Sequence, residues 1–265
     1  MTAPTTAARA AYESDGYYIS QQPVLPVPVV AGAKAGMDEV RAGRYDTGVA
    51  PQPSVWKPGD DEDKLCKIEM PQVASRPIWD LVSHPALGEW AAALSGAAWV
   101  QVWWVQLLYK PPVRPQVSTN VGWHQDRHYW QVWEAGSELF TAWVALEEVG
   151  ADSGPMRFVR GSHRWGFLDQ SDFFGQDLDG QRRGLPLPAG ASWSEDEVLL
   201  PAGGASFHHC LTLHGSGANT TGRARRSFAI HLRTEKSRPV EDRRAGLTAF
   251  IDNPHYCPLI YPRSV

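Results

Sequence analysis

Residues 99–109 read WVQVWWVQLLY and residues 139–146 read LFTAWVAL. Both are short, rich in valine, leucine and aromatic side chains, and set between turn formers, as strands of a buried sheet are. Segments 121–126, 155–159, 198–200, 205–213 and 225–233 (RRSFAIHLR) have the same character, with Gly, Pro, Asn and Asp in the gaps. Such a run of short strands predicts an all-β sandwich or barrel. Upstream, TTAARAAYESD at 5–15 ends before Gly16 and predicts a short helix, and GYYIS at 16–20 predicts a strand. The next stretch, QQPVLPVPVV, carries too many prolines for a helix interior. Residues 77–95 have helical spacing broken at Pro85 and predict two consecutive helices. The fold class expected is therefore mainly β, with N-terminal helices packed on the outside.

Three segments lie outside this pattern. Residues 43–63 are polar and read as a loop. Residues 167–197 form a glycine-rich insertion centred on QDLDGQRRG, and residues 235–246 (EKSRPVEDRRAG) read as a solvated turn. A long loop in a compact fold is usually functional or disordered, and 167–197 and 43–63 are the candidate lids.

Composition narrows the function classes. The chain has 265 residues, a net charge of -4 and 20% charged residues. That balance offers no basic footprint for nucleic acid. No apolar run approaches the roughly 20 residues of a membrane-spanning helix, and the N-terminus lacks the pattern of a secretion signal. Cys66, Cys210 and Cys257 are odd in number and far apart, which fits neither a disulfide framework nor a zinc site and suits a reducing, cytoplasmic setting. Seven of the twelve tryptophans (Trp99, Trp103, Trp104, Trp123, Trp130, Trp133 and Trp143) fall within 45 residues. Because strand side chains alternate, some are expected in the core and others along a pocket.

The chemistry centres on WHQDRHYW at 123–130. On a strand, His124 and Asp126 project to one face while Trp123 and Gln125 face the other. An imidazole and a carboxylate side by side, joined by one remote histidine, make the facial triad of mononuclear iron(II), with three positions left open. The remote ligand is sought in GGASFHHCLTLHGSGANTTGRARRS at 203–227. His208 and His209 are rivals, and His214 is preferred because it sits at a strand end before the turn GSGAN. The chain then returns as a strand at Arg225, whose fork suits the distal carboxylate of a dicarboxylic cosubstrate. Ser227 shares its face and is placed to donate a further hydrogen bond. His128 and Tyr129, just after the pair, are placed to touch substrate. His163, in GSHRWG, reads as part of a turn.

Taken together, HQD at 124–126, FTAWVALEEVGADSGPMRFVRGSHRWG at 140–166 and HGSGAN with an arginine eleven residues after His214 resemble the phytanoyl-CoA dioxygenase family. The resemblance covers residues 10–235. It implies a double-stranded β-helix, or jelly-roll, in one iron(II)- and 2-oxoglutarate-dependent dioxygenase domain spanning 1–265. The helical part would be 1–97, the jelly-roll core 98–235 and the C-terminal extension 236–265. It implies iron on His124, Asp126 and His214, the cosubstrate on Arg225, and Gln106, Trp143 and Lys67 beside it. With O2 the expected outcome is hydroxylation of a C–H bond in a small molecule. The carboxylate of Asp126 stands where related halogenases carry a small residue, so chlorination is not expected, whereas desaturation, epoxidation, ring formation and epimerisation share the same chemistry. A compact enzyme of bacterial secondary metabolism fits the family's breadth. Arg182 and Arg183 could serve an acyl-CoA. The rival readings are a cupin-like jelly-roll that only binds a ligand and a metal-dependent hydrolase.

Overall fold

The computed structural model describes residues 4–115, 117 and 119–262. Five helices are present among them: α1 (Thr6–Asp15), α2 (Val27–Arg41), α3 (Arg76–Val82), α4 (Pro85–Ser95) and α5 (Leu178–Gly184). Eleven strands accompany them: β1 (Tyr17–Ile19), β2 (Cys66–Glu69), β3 (Val100–Lys110), β4 (Val121–His124), β5 (Leu139–Ala145), β6 (Met156–Val159), β7 (Glu195–Glu197), β8 (Ala205–His209), β9 (His214–Ser216), β10 (Arg225–Thr234) and β11 (Leu259–Tyr261). They form two antiparallel sheets. The larger runs β1-β8-β5-β10-β3, and the far edge of β3 is shared by β2 at one end and β11 at the other. The smaller runs β4-β9-β6-β7. Two sheets face to face with helices outside make a jelly-roll, as the family resemblance implied and in keeping with the sandwich or barrel expected from the strand pattern.

Alternation along β5 accounts for the layering. Phe140, Ala142 and Val144 join Phe207, Phe228, Ile230 and Leu232 in one buried cluster with Ala8, Met37, Ile78 and Leu87 from the first four helices. Trp143 and Ala145 face the opposite way and pack with Ala229, Met156 and Phe158 between the sheets. All seven residues of β5 are thus buried, because both faces of this strand are covered.

The structure departs from the sequence reading at several places. VPVVAGAKAGMDEVR, which begins inside the proline-punctuated stretch, is helix α2. Its proline lies in the first turn, where the missing N–H has no intrahelical partner to lose. The strand expected at 198–200 lies instead at Glu195–Glu197, an edge strand whose polar residues pair with β6. The strand expected at 205–213 stops at His209, and His214 opens a separate strand in the other sheet. The insertion is not all loop, since it carries α5 and β7. No helix among the described residues is long and apolar enough to cross a membrane.

Candidate active site

The large sheet presents a polar row toward the small one. His208 on β8, Thr141 on β5 and His231 on β10 are direct cross-strand partners, and Trp104 on β3 follows His231. Above this row sits Asp126. Strand β4 ends at His124, and Asp126 begins a 3-10 turn rather than continuing the strand. The expected same-face geometry survives because Gln125 keeps an extended backbone (φ -105°, ψ 132°). Its buried side chain points away, donating to the carbonyls of Gly166 and Leu211.

His124 and His214 are cross-strand partners on β4 and β9. The ligand atoms of His124, Asp126 and His214 all lie within 4.8 Å of one another, and all three residues are buried. The donor set fits iron(II) in detail. Nδ1 of His124 lies 2.8 Å from the Gly122 carbonyl and Nδ1 of His214 lies 2.9 Å from that of Thr212. A carbonyl can only accept, so each Nδ1 carries the proton and each Nε2 offers its lone pair. Those Nε2 atoms lie 3.8 and 3.7 Å from Oδ1 of Asp126. The other oxygen, Oδ2, accepts from Thr141 Oγ1 at 2.9 Å and lies 3.2 Å from His208 Nε2. One carboxylate oxygen therefore faces the two imidazoles while the other is held from behind. Burial lowers both histidines below the usual imidazole range, so they stay neutral and able to coordinate. Burial would raise the Asp126 carboxyl, but His214 and the hydrogen-bonded His208 outweigh it and hold the group well below the usual carboxylate range.

Two adjoining cavities open on this triad. The inner one lies between the sheets, reaching from the triad past Gln106, Trp143 and Ser216 to Arg225. The outer one, about 200 Å³, is lined by Trp104, Tyr129, Trp130, Phe173 and Phe174, with Lys67 and Glu69 as its charged groups beyond Asp126. Arg225 is 4% exposed, its guanidinium donates to the Gly154 carbonyl, and it lies 5.1 Å from the centre of the Trp143 ring. Burial pushes its pKa down to about 10. No carboxylate among the described residues pairs with it, and its Nε is buried without a partner. Gly154 holds this anchor in place. It sits at φ 64°, and a Cβ there would lie 2.6 Å from the Gly217 carbonyl, so the two backbones meet only because it is glycine.

Other residues named from sequence are placed differently. Ser227 lies on β10 between Arg225 and Ala229, the cross-strand partner of Trp143, but its Oγ donates to the Leu108 carbonyl at 3.4 Å, and it does not line the inner cavity. Lys67 faces the outer chamber, 3.2 Å from Glu69 and 4.8 Å from the centre of the Phe173 ring. Tyr129 lines the outer chamber, and its hydroxyl accepts from the Phe173 amide at 2.9 Å. His128 packs against Phe167 outside it. His163 is near Glu13, with Nε2 3.2 Å from that carbonyl, and His209 caps the Leu211 amide, so neither belongs to the site. Arg182 is 3.3 Å from Glu195 and stacks on Trp193. The tryptophans divide between core and pocket: Trp103 and Trp133 are core, while Trp104, Trp130 and Trp143 line cavities, although Trp130 and Trp133 lie outside the strands and owe nothing to alternation. Of the two candidate lids, 167–197 supplies Phe173 and Phe174 to the outer chamber and 43–63 supplies nothing to either cavity.

Sequence reasoning missed Thr141, His231, Ser216 and Glu69. A signal existed for two of them: Thr141 is two residues before Trp143 and Ser216 two after His214, hence on the same faces. His231 is buried by Trp103 and Trp130 and pushed down to about 3, and burial takes His209 to about 4. In the unfolded chain both titrate near 6.5. Below that pH the unfolded state takes up protons that the folded state refuses, so stability falls as the pH drops toward these values. For His231 alone the expected loss reaches about 2 kcal/mol at about pH 5. Urea midpoints of the metal-free protein at neutral pH and near pH 5 measure it. His231→Leu should flatten the dependence, and an unaltered slope would assign the effect to other groups.

Known proteins are similar to this chain. Residues 12–227 match the phytanoyl-CoA dioxygenase (PhyH) family profile. Human peroxisomal phytanoyl-CoA dioxygenase is 25% identical over 132 residues, covering 48% of this chain and 37% of that protein. The matched stretch thus spans about two fifths of the length of such curated relatives. Among solved structures, SnoN, a non-haem α-ketoglutarate-dependent epimerase from nogalamycin biosynthesis, is 26% identical with a TM-score of 0.65, covering 88% of this chain and 84% of its own. SnoK, a carbocyclase from the same biosynthesis, is 26% identical with a TM-score of 0.68, covering 90% and 88%. With a profile match running from α1 into β10 and a buried His-Asp-His triad between the sheets, the chain belongs to the phytanoyl-CoA dioxygenase family.

Proposed function

We propose that the protein is an iron(II)- and 2-oxoglutarate-dependent oxygenase that hydroxylates, or otherwise oxidises, an unactivated C–H bond of a small organic molecule. The observation that carries this reading is Arg225, a buried guanidinium without a carboxylate partner, facing the same cavity as the triad. A protein that merely bound a neutral ligand would have no reason to bury an unpaired cation there. A hydrolase would need a free base beside metal-bound water. Glu69, the other carboxylate of the outer chamber, is engaged by Trp104 Nε1 at 2.6 Å and by Lys67.

With iron(II), 2-oxoglutarate and O2 bound, such a site supplies an oxidant that removes hydrogen from substrate while the cosubstrate becomes succinate and carbon dioxide. The chain's own residues divide the remaining work. His124, His214 and Asp126 Oδ1 hold the metal, and Thr141 and His208 fix the carboxylate so that one oxygen faces it. Arg225 binds the distal carboxylate of 2-oxoglutarate against Trp143, with Gln106 alongside. Tyr129, Trp104, Trp130 and the Phe173–Phe174 pair hold substrate and exclude water. An aromatic chamber favours a flat or apolar molecule. The involvement of two structural neighbours in nogalamycin biosynthesis supports a role in secondary metabolism. Three buried free cysteines suit a reducing cytoplasm.

The test is a screen of flat and apolar natural products that reads succinate release, with mass spectrometry of the products. The expected hit couples succinate to the gain of one oxygen atom. Loss of two hydrogens or an isomeric product would mark desaturation, cyclisation or epimerisation. A protein that binds iron(II) yet develops no visible charge-transfer band with 2-oxoglutarate under anaerobic conditions would overturn the reading.

A further inference from the structure

Lys110 is the most deeply buried cation among the described residues, at 0% exposure. It is the last residue of β3 and the direct cross-strand partner of Arg225, so both side chains leave the sheet on one face. Like charges opposed in this way repel, and burial removes the water that would screen them. No carboxylate among the described residues pairs with either. Burial, then Arg225 and Arg157, press the Lys110 ammonium well below its usual range, a penalty that an anion bound beside the pair would offset. Two adjacent buried cations without an internal anion form a site prepared for an external one.

The hydrogen bonds show how Lys110 would reach it. Its Nζ donates to Ser216 Oγ and to the Gly217 carbonyl, both at 2.6 Å. An ammonium only donates, so Ser216 spends a lone pair on Lys110 and keeps its own proton free. Ser216 and Arg225 both line the inner cavity, whereas Lys110 does not. We propose that Lys110 is a positioning residue of the cosubstrate site, which acts through Ser216 by turning that hydroxyl into a dedicated donor for the distal carboxylate held by Arg225. The proposal rests on the 2-oxoglutarate reading of the function. It assigns to the lysine of the LYKPP stretch a task at a carboxylate that it does not touch.

The experiment is a calorimetric titration of the Mn(II)-loaded protein with 2-oxoglutarate and with 2-oxopentanoate, which keeps the keto acid and the chain length but ends in a methyl group. Lys110→Met is expected to weaken 2-oxoglutarate about tenfold, as losing a charge-assisted hydrogen-bond network should, and to leave 2-oxopentanoate unchanged. Ser216→Ala, which keeps the lysine, should show the same selective loss, and the double variant no further loss. Removing an unpaired buried cation should also raise the Tm of Lys110→Met without ligand, a result that a merely structural lysine would not produce. Equal losses for both ligands, no loss for 2-oxoglutarate, or additive losses in the double variant would overturn the proposal. A wild-type protein that fails to prefer 2-oxoglutarate over 2-oxopentanoate would instead overturn the functional reading on which it rests.

Discussion

Asp126→Ala should strip the protein of its ability to retain iron(II) and lower substrate-dependent succinate formation by about a thousandfold or more, the scale of losing an essential catalytic group. The reason lies on both sides of the carboxylate. Oδ1 faces the two Nε2 atoms, and Oδ2 ties the turn after β4 to Thr141 and His208 on the large sheet. Alanine removes the anionic ligand and the tie together, leaving neutral imidazoles that bind a divalent ion far less well. Iron content after desalting and succinate release are the two readouts. Retention of iron with loss of turnover would indicate that His208, whose Nε2 already lies 3.2 Å from the carboxylate, takes over as a ligand. Retention of both would sink the triad.

Arg225→Ala should raise the dissociation constant of 2-oxoglutarate about a hundredfold, within the range for truncating one partner of a buried charge pair. Iron binding should be unaffected, because Arg225 stands at the other end of the inner cavity from the triad. Titration of the metal-loaded protein separates the two effects. An unchanged 2-oxoglutarate affinity would move the clamp elsewhere. The neighbouring arginines are poorly placed to take it over: Arg226 is engaged by Asp38 and Glu147 on the outer face of the sheet, and Arg223 is exposed.

Much of this could be read from the chain, and the reasons are local. LFTAWVAL is short, rich in apolar and aromatic residues and set between turn formers, so β5 announced itself by composition, and Pro85 split α3 from α4 by removing a backbone donor. Where the reading failed, tertiary context had overruled local pattern. The prolines around the start of α2 looked prohibitive because it could not be known that only one of them lies inside the helix, in its first turn. The edge strand β7 is polar because only its pairing with β6, not burial, requires it to be extended. In the site, the triad was legible because two of its ligands are two residues apart. Lys110 and His231 were not, and Thr141 and His208 were legible only as a shared face and as a rival ligand, since their meaning depends on register across four strands, and no single stretch of sequence carries that. Ser227 illustrates the converse: it shares the face of Arg225, yet it is turned onto the Leu108 carbonyl.

Gln181, near the middle of α5, joins the insertion to the metal strand. Its Oε1 accepts the Trp123 amide at 2.9 Å and its Nε2 donates to the Asp172 carbonyl at 3.2 Å. The Gly122 amide donates to the Phe173 carbonyl at 3.0 Å, and a Cβ on Gly122 would lie 2.0 Å from the Asp172 carbonyl. The Phe173 ring is 5.2 Å from that of His124. The insertion is thus geared to the strand that carries an iron ligand. Phe173, which lines the outer chamber, thus belongs to a body that includes Trp123, the residue immediately before His124. The 167–197 insertion and the strand that carries His124 are therefore fastened together at two successive backbone amides, those of Gly122 and Trp123.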